Sequence, residues 1–177
     1  MLTQLLIGDQ PLGCSHSRSS RTRRLRPHSS PSLDRVHVAA VCYRLRDEEP
    51  EFLLVRTRNG HWTFPKGGVD EDPTHADAAA REAYEEAGVK GHVERAAFIS
   101  YWHCKPGRLR RRVVLVHAHL CAVKQTVAPA EAYRDPKWFG AEKAKRQLQK
   151  YRKAEFAAEL AGVIEQATKR IQKLRAA

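Results

Sequence analysis

Residues 64–91 read FPKGGVDEDPTHADAAAREAYEEAGVKG. The stretch opens on Gly67-Gly68, where the missing side chains let backbone come close to a ligand. Asp72-Pro73 follows as a helix start, with Asp72 predicted as the N-cap and Pro73 as the first helical residue. Gly88 is the matching stop, so the spacing predicts one helix over 74–87. Along it Ala76, Ala79, Ala80, Ala83 and Ala87 form a small-residue face that can pack closely on a sheet. Glu82, Glu85 and Glu86 stand at i, i+3 and i+4, which brings three carboxylates within about 6 Å of one another. Arg81 reaches Glu85 at i+4 and relieves one of those charges only. By spacing alone the face is either a solvated acidic surface or a site for a hard divalent cation. Such a cation takes oxygen ligands and shares them with substrate phosphates.

Working outward, residues 36–43 form an apolar run with strand character, and residues 52–55 form another. Asp47-Glu48-Glu49-Pro50 supplies a polar turn between them, which predicts a hairpin. Two further strands are expected around 93–101 and 113–123. A second helical region begins near Ala141 and runs towards the C-terminus in two pieces. In it Phe156, Leu160, Val163, Ile164, Ala167, Ile171 and Leu174 recur on one amphipathic face. Strands and helices interleave, which places the chain in the α/β or α+β class.

The chain has 177 residues and a formal net charge of +12. No apolar run approaches the roughly 20 residues of a membrane span, so an integral helical membrane protein is excluded. The positive balance calls for an anionic partner: nucleic acid, phosphorylated metabolite or membrane surface. Residues 1–33 differ in composition. Five arginines against Asp9 give this Ser/Arg-rich segment a charge of +4 and leave +8 for the rest. It is expected to be a disordered, dispensable tail, with a targeting segment or an RNA-binding tail as alternatives. Residues 34–177 then form the single domain. Cys14, Cys42, Cys104 and Cys121 make no CxxC pair, and Cys42 and Cys121 sit in apolar runs. Reduced, buried thiols and a cytoplasmic location are the expectation.

The string Gly67-x5-Pro73-x7-Arg81-Glu82-Ala83-x-Glu85-Glu86-x-Gly88-Val89 resembles the Nudix box, G-x5-E-x7-R-E-U-x-E-E-x-G-U with U a bulky apolar residue. Every polar position of its second half is met. Pro73 replaces the first glutamate and Ala83 replaces a bulkier apolar residue. The likeness extends over residues 34–175 and includes Trp138-Phe139. It is strongest to the branch of diadenosine and diphosphoinositol polyphosphate phosphohydrolases. The resemblance implies an α/β/α sandwich with a mixed central sheet and a C-terminal helix. It also implies a magnesium-dependent pyrophosphohydrolase, with manganese as an alternative cation. Glu82 and Glu86 would be the first metal ligands, and Glu85 a further ligand or the base that deprotonates water. The Gly67 carbonyl is a candidate ligand, Arg81 would hold a glutamate in place, and Glu85, Glu86 and Arg81 form the implied catalytic set. Glu131 and Asp135 are both candidates for a distal acid, and spacing does not choose between them.

The substrate should account for the basic residues outside the tail. Lys66 stands beside the glycine loop, and Lys105, Arg108, Arg110, Arg111 and Arg112 cluster around Pro106-Gly107. Such a cluster suits a long, highly charged phosphate chain or serves as a solubilising loop. Arg56 and Arg58 follow a strand. Trp62, Phe64, Tyr101 and Trp102 either stack a base or pack the core. His103 stands apart, while His117 and His119 share one side of an alternating strand, as pocket lining or as structural histidines. The expected substrate is a small polyphosphate: a dinucleoside polyphosphate, a diphosphoinositol polyphosphate or a related nucleoside diphosphate derivative. An RNA 5′-end pyrophosphohydrolase and a non-catalytic ligand sensor are the alternatives.

Overall fold

The computed structural model describes residues 36–105 and 112–177. The tail at 1–33 and Arg108, Arg110 and Arg111 lie outside the described residues, as do the side chains of Lys105 and Arg112.

Strand β1 (His37–Arg46) occupies the middle of the sheet. It forms the expected hairpin with β2 (Glu49–Arg56), in register Tyr43↔Phe52 to Arg46↔Glu49, and Asp47 and Glu48 turn the corner at positive φ. On its other side β1 runs parallel to β7 (Arg112–Thr126), from His37↔Val116 to Tyr43↔Ala122. Strand β3 (Trp62–Thr63) pairs with β2, and β4 (Lys66–Gly68) pairs with the start of β1. Strands β5 (Val89–Val93) and β6 (Ile99–Lys105) both lie antiparallel to β7, and β8 (Lys137–Gly140) lies antiparallel to β2. One parallel pairing among antiparallel ones makes the sheet mixed.

Two expectations are corrected here. The strand expected around 93–101 is two strands, separated at residues 94–98. There the backbone N–H groups of Glu94 and Phe98 still bond carbonyls of β7, those of Leu120 and Ala118. The helix α1 (His75–Ala87) begins on Thr74 rather than Asp72: the Thr74 hydroxyl accepts from the Asp77 N–H at 3.1 Å and donates to its carboxylate. Either residue type makes a good cap. Asp72 is free of that duty and is engaged with Arg81. Gly88 stops the helix in the left-handed region, φ 64°, as expected.

Helices cover both faces of the sheet, which is why β1 is apolar at successive positions. Val38, Ala40 and Cys42 face α1 together with Leu53 and Val55 of β2. Ala39 and Val41, with Phe52 and Leu54, face the opposite way. That second face packs on α2 (Ala141–Gln149) and α3 (Ala154–Ala176), through Ala144, Leu148, Leu160, Val163, Ile164, Ala167 and Ile171. The architecture is the α/β/α sandwich. The layers are unequal in grain. Bulky side chains fill the α3 side, whereas α1 presents Ala78, Ala79, Ala83 and Ala87 and so lies close on the strands. Trp62, Phe64 and Tyr101 belong to the α3-side core, while Trp102 is 44% exposed. Cys42 and Cys121 are buried free thiols, as expected. No described helix is long and apolar enough to cross a membrane.

A Cβ at Gly88 would strike the Val127 carbonyl and the Pro129 nitrogen, in a conformation that L-residues resist. Gly88→Ala is therefore expected to lower the unfolding free energy by at least about 2 kcal/mol. Urea denaturation followed by circular dichroism measures it.

Candidate functional site

The alanine face of α1 brings its neighbouring glutamates down onto β4. Glu82 is 8% exposed and Glu86 4%, whereas Glu85 stays half in solvent. Gly67 makes this approach feasible. A Cβ there would collide with the Glu82 carboxylate. The Lys66 backbone N–H donates to Glu86 Oε2 at 3.1 Å, so the glycine loop and the glutamate face form one cradle. The Gly67 carbonyl oxygen has His37 Nδ1 at 2.9 Å.

Arg81 ties the cradle together. Its Nη1 donates to Glu82 at 2.9 Å and to Glu85 at 3.2 Å. Nη2 donates to the Gly68 carbonyl at 3.1 Å, and Nε and Nη2 grip both oxygens of Asp72. The guanidinium fork thus holds the loop and two glutamates in fixed relation, which an ammonium could not do. Its hydrogen bonds keep the Asp72 carboxyl below its usual range.

Desolvation acts on the two buried glutamates. Burial pushes Glu82 up, with Arg81 opposing. Burial also pushes Glu86 up to about 7, against the pull of Lys66 and Arg134. Arg134 sits in a 3-10 turn (Ala132–Arg134), and its Nη2 is ion-paired with Glu86 Oε1. The same guanidinium holds Glu131 through Nε at 2.5 Å. The turn is anchored to the helix, since the Glu131 N–H donates to the Glu85 carbonyl at 3.1 Å. Partial desolvation raises the Glu131 carboxyl, but hydrogen bonds from Tyr133 and Arg134 bring it below its usual range.

Glu131 therefore stands beside the glutamate face. Asp135 does not: it pairs with Arg56 at 3.3 Å and Lys137 at 2.9 Å. Arg56 also lies over the Trp62 ring and Arg58 over Tyr133, so both basic residues have partners within the fold. Asp72, Arg134 and His37 are site residues that sequence reasoning missed. Asp72 was absorbed by its resemblance to a cap. Arg134 carries a weak signal, an arginine between the two acids proposed for the distal role. His37 carries none.

The donor set suits a hard cation. It consists of carboxylate and carbonyl oxygens, and the buried pair Glu82 and Glu86 calls for a positive charge nearby. Among the described residues, no three His, Cys, Asp or Glu side chains already enclose one point. Mg²⁺ needs no such cage, because water and substrate phosphates complete its shell. The residues present fit the group.

A family model described as NUDIX domain matches residues 35–160. The chain belongs to the Nudix domain family. This Nudix chain is 30% identical over 132 residues to a diphosphoinositol polyphosphate phosphohydrolase of Homo sapiens, covering 71% of each chain. It is 38% identical over 78 residues to diphosphoinositol polyphosphate phosphohydrolase 2 of Rattus norvegicus, where the match covers 41% of this chain and 43% of that one. The matched part is thus under half of the rat protein. Among solved structures, a C. elegans Ap4A hydrolase in a binary complex shares the fold. Its TM-score is 0.59 at 21% identity, covering 78% of this Nudix chain and 98% of that one.

Arg134→Gln removes the ion pair to the buried Glu86 carboxylate and leaves Lys66 as the cation beside it. The metal-free variant is expected to be about 3 kcal/mol less stable than the parent. Urea unfolding in the presence of EDTA measures the difference.

Proposed function

We propose that this Nudix chain is a Mg²⁺-dependent pyrophosphohydrolase. Its substrates would be dinucleoside polyphosphates, diphosphoinositol polyphosphates or related nucleoside diphosphate derivatives. The observation that carries the reading is the pair of buried carboxylates, Glu82 and Glu86, held against the Gly67 loop by the Arg81 fork. The relatives support the substrate class, since two are named for diphosphoinositol polyphosphates and the structural neighbour for Ap4A.

In this reading Glu82 and Glu86 hold the cation, with the Gly67 carbonyl as a further ligand. When bound, Mg²⁺ neutralises the polyphosphate and lowers the pKa of an attacking water. Glu85, the most exposed of the three, is assigned the role of base that takes a proton from that water, with Glu131 next to it as the distal acid. Arg81 orients Glu82 and Glu85 and keeps the loop from drifting away from the helix. Lys66, beside Glu86, is assigned to the substrate phosphates. Arg108, Arg110, Arg111 and Arg112 would extend the positive surface along a longer phosphate chain. The N-terminal tail at 1–33 has no part in the chemistry, and the buried thiols fit a reducing, cytoplasmic setting.

The test is phosphate release with Mg²⁺ across a panel. It comprises dinucleoside polyphosphates, diphosphoinositols, ADP-ribose, nucleoside triphosphates and 5′-triphosphate RNA, offered to the full chain and to one starting at Asp34. Turnover of the first two groups is expected from both versions. Turnover of RNA alone, with steep salt dependence, would replace this reading with an RNA 5′-end activity. Binding without turnover of any compound would make the chain a ligand sensor. On the preferred substrate, Glu86→Gln and Glu82→Gln are each expected to lower kcat by about 10²–10⁴-fold. Unchanged kcat in both would remove the metal assignment.

A further inference from the structure

A second cluster of ligating side chains lies on the same helix, away from the glutamates. His75 is the first residue of α1, seven residues and about 10 Å along the axis from Glu82. His117 and His119 lie two apart on β7, on the face turned to α1, in line with Cys121. The His75 ring stacks on His117, with centroids 5.5 Å apart and planes 17° apart. It also meets His119 edge-on at 6.4 Å and 88°.

A hydrogen bond fixes which nitrogen of His119 is available. His119 is 1% exposed, and its Nδ1 lies 2.9 Å from the Glu94 carbonyl oxygen. A carbonyl only accepts, so Nδ1 carries the proton and the neutral ring keeps its lone pair at Nε2. That Nε2 is buried and has no hydrogen-bond partner. An N–H held on a backbone carbonyl is also the usual way a metal-binding imidazole is oriented. His117 places its Nδ1 2.8 Å from the Ser100 hydroxyl. Burial, and then the nearby His75 and His119, push its pKa below the ordinary range. The Glu94 carboxylate is committed to Arg170, 3.0 Å away, and does not compete for the cluster.

We propose that His75, His117 and His119 form a site for a borderline divalent cation of the Zn²⁺ class, distinct from the oxygen-lined glutamate site. Imidazole nitrogens suit such ions and are poor ligands for Mg²⁺. Metal–nitrogen bonds of about 2.0–2.1 Å place two imidazole centroids on one tetrahedral ion roughly 5 Å apart. The His75–His117 separation of 5.5 Å is near that value, the His75–His119 separation of 6.4 Å is longer, and among the described residues the three side chains do not yet enclose one point. His75, exposed at the helix start, supplies the movement: its ring turns out of the stack so that its nitrogen joins that of His119. Three imidazoles leave one position for water, and the ion would tie the start of α1 to β7.

Calorimetric titration of the full chain with Zn²⁺, in excess Mg²⁺ to saturate the glutamates, tests this without any turnover. One Zn²⁺ per chain is expected, together with a rise in melting temperature. His75→Ala and His117→Ala should each weaken binding by at least about tenfold. His75→Ala, at an exposed position, should leave the melting temperature of the metal-free chain unchanged, which separates lost binding from lost folding. Absence of Zn²⁺ binding to the parent, or binding within twofold of the parent in either variant, overturns the proposal.

Discussion

Everything around the glutamate site depends on how closely α1 can approach β4. Two carboxylates of like charge are taken out of water there, which is unfavourable unless something compensates at short range. The approach is sterically feasible because Ala78, Ala79, Ala83 and Ala87 are small and because Gly67 has no side chain to meet Glu82. It is electrostatically tolerable because Arg81 and Arg134 stand at the two ends of the carboxylate pair. A bulkier helix face would lift the glutamates into solvent, where they would be ordinary acids.

The two arginines do different work. Arg81 contacts the glycine loop, Asp72 and two glutamates, and all its partners lie within 17 residues of Gly68. It is part of the scaffold. Arg134 arrives from 48 positions further along the chain on a turn, and its one deep contact is Glu86. A guanidinium in that place is a positive charge that any incoming cation must share or displace.

Much of this was legible in the sequence, and the limits have physical reasons. The glutamate triplet could be read because helix geometry alone fixes i, i+3 and i+4, and Gly88 marked the stop. The largely apolar run at 36–43 announced a buried strand. Asp72 was misread because a cap and a clamp both call for an acid just before a helix, and Thr74 satisfies the first need equally well. The split of the region around 93–101 was hidden because residues 94–98 keep bonding to β7 without extending as a strand. Glu131 and Asp135 differ in role by where a turn points, φ 45° at Asp135 included, and no periodicity encodes that. The pairing of Glu86 with Arg134 spans 48 positions and exists only once the chain has folded.

The parallel pairing of β1 with β7 also sets an order of events during synthesis. Strand β1 can close its hairpin with β2 almost as soon as both exist, since Arg46 and Glu49 are neighbours in register. Its other edge must wait, because His37 pairs with Val116, 79 positions later. Until then a nascent chain carries an unsatisfied, apolar strand edge, the kind of surface that recruits other strands. Folding of this domain is thereby gated by the late arrival of its second central strand, and its vulnerable period is the interval during which residues 47–115 are being made.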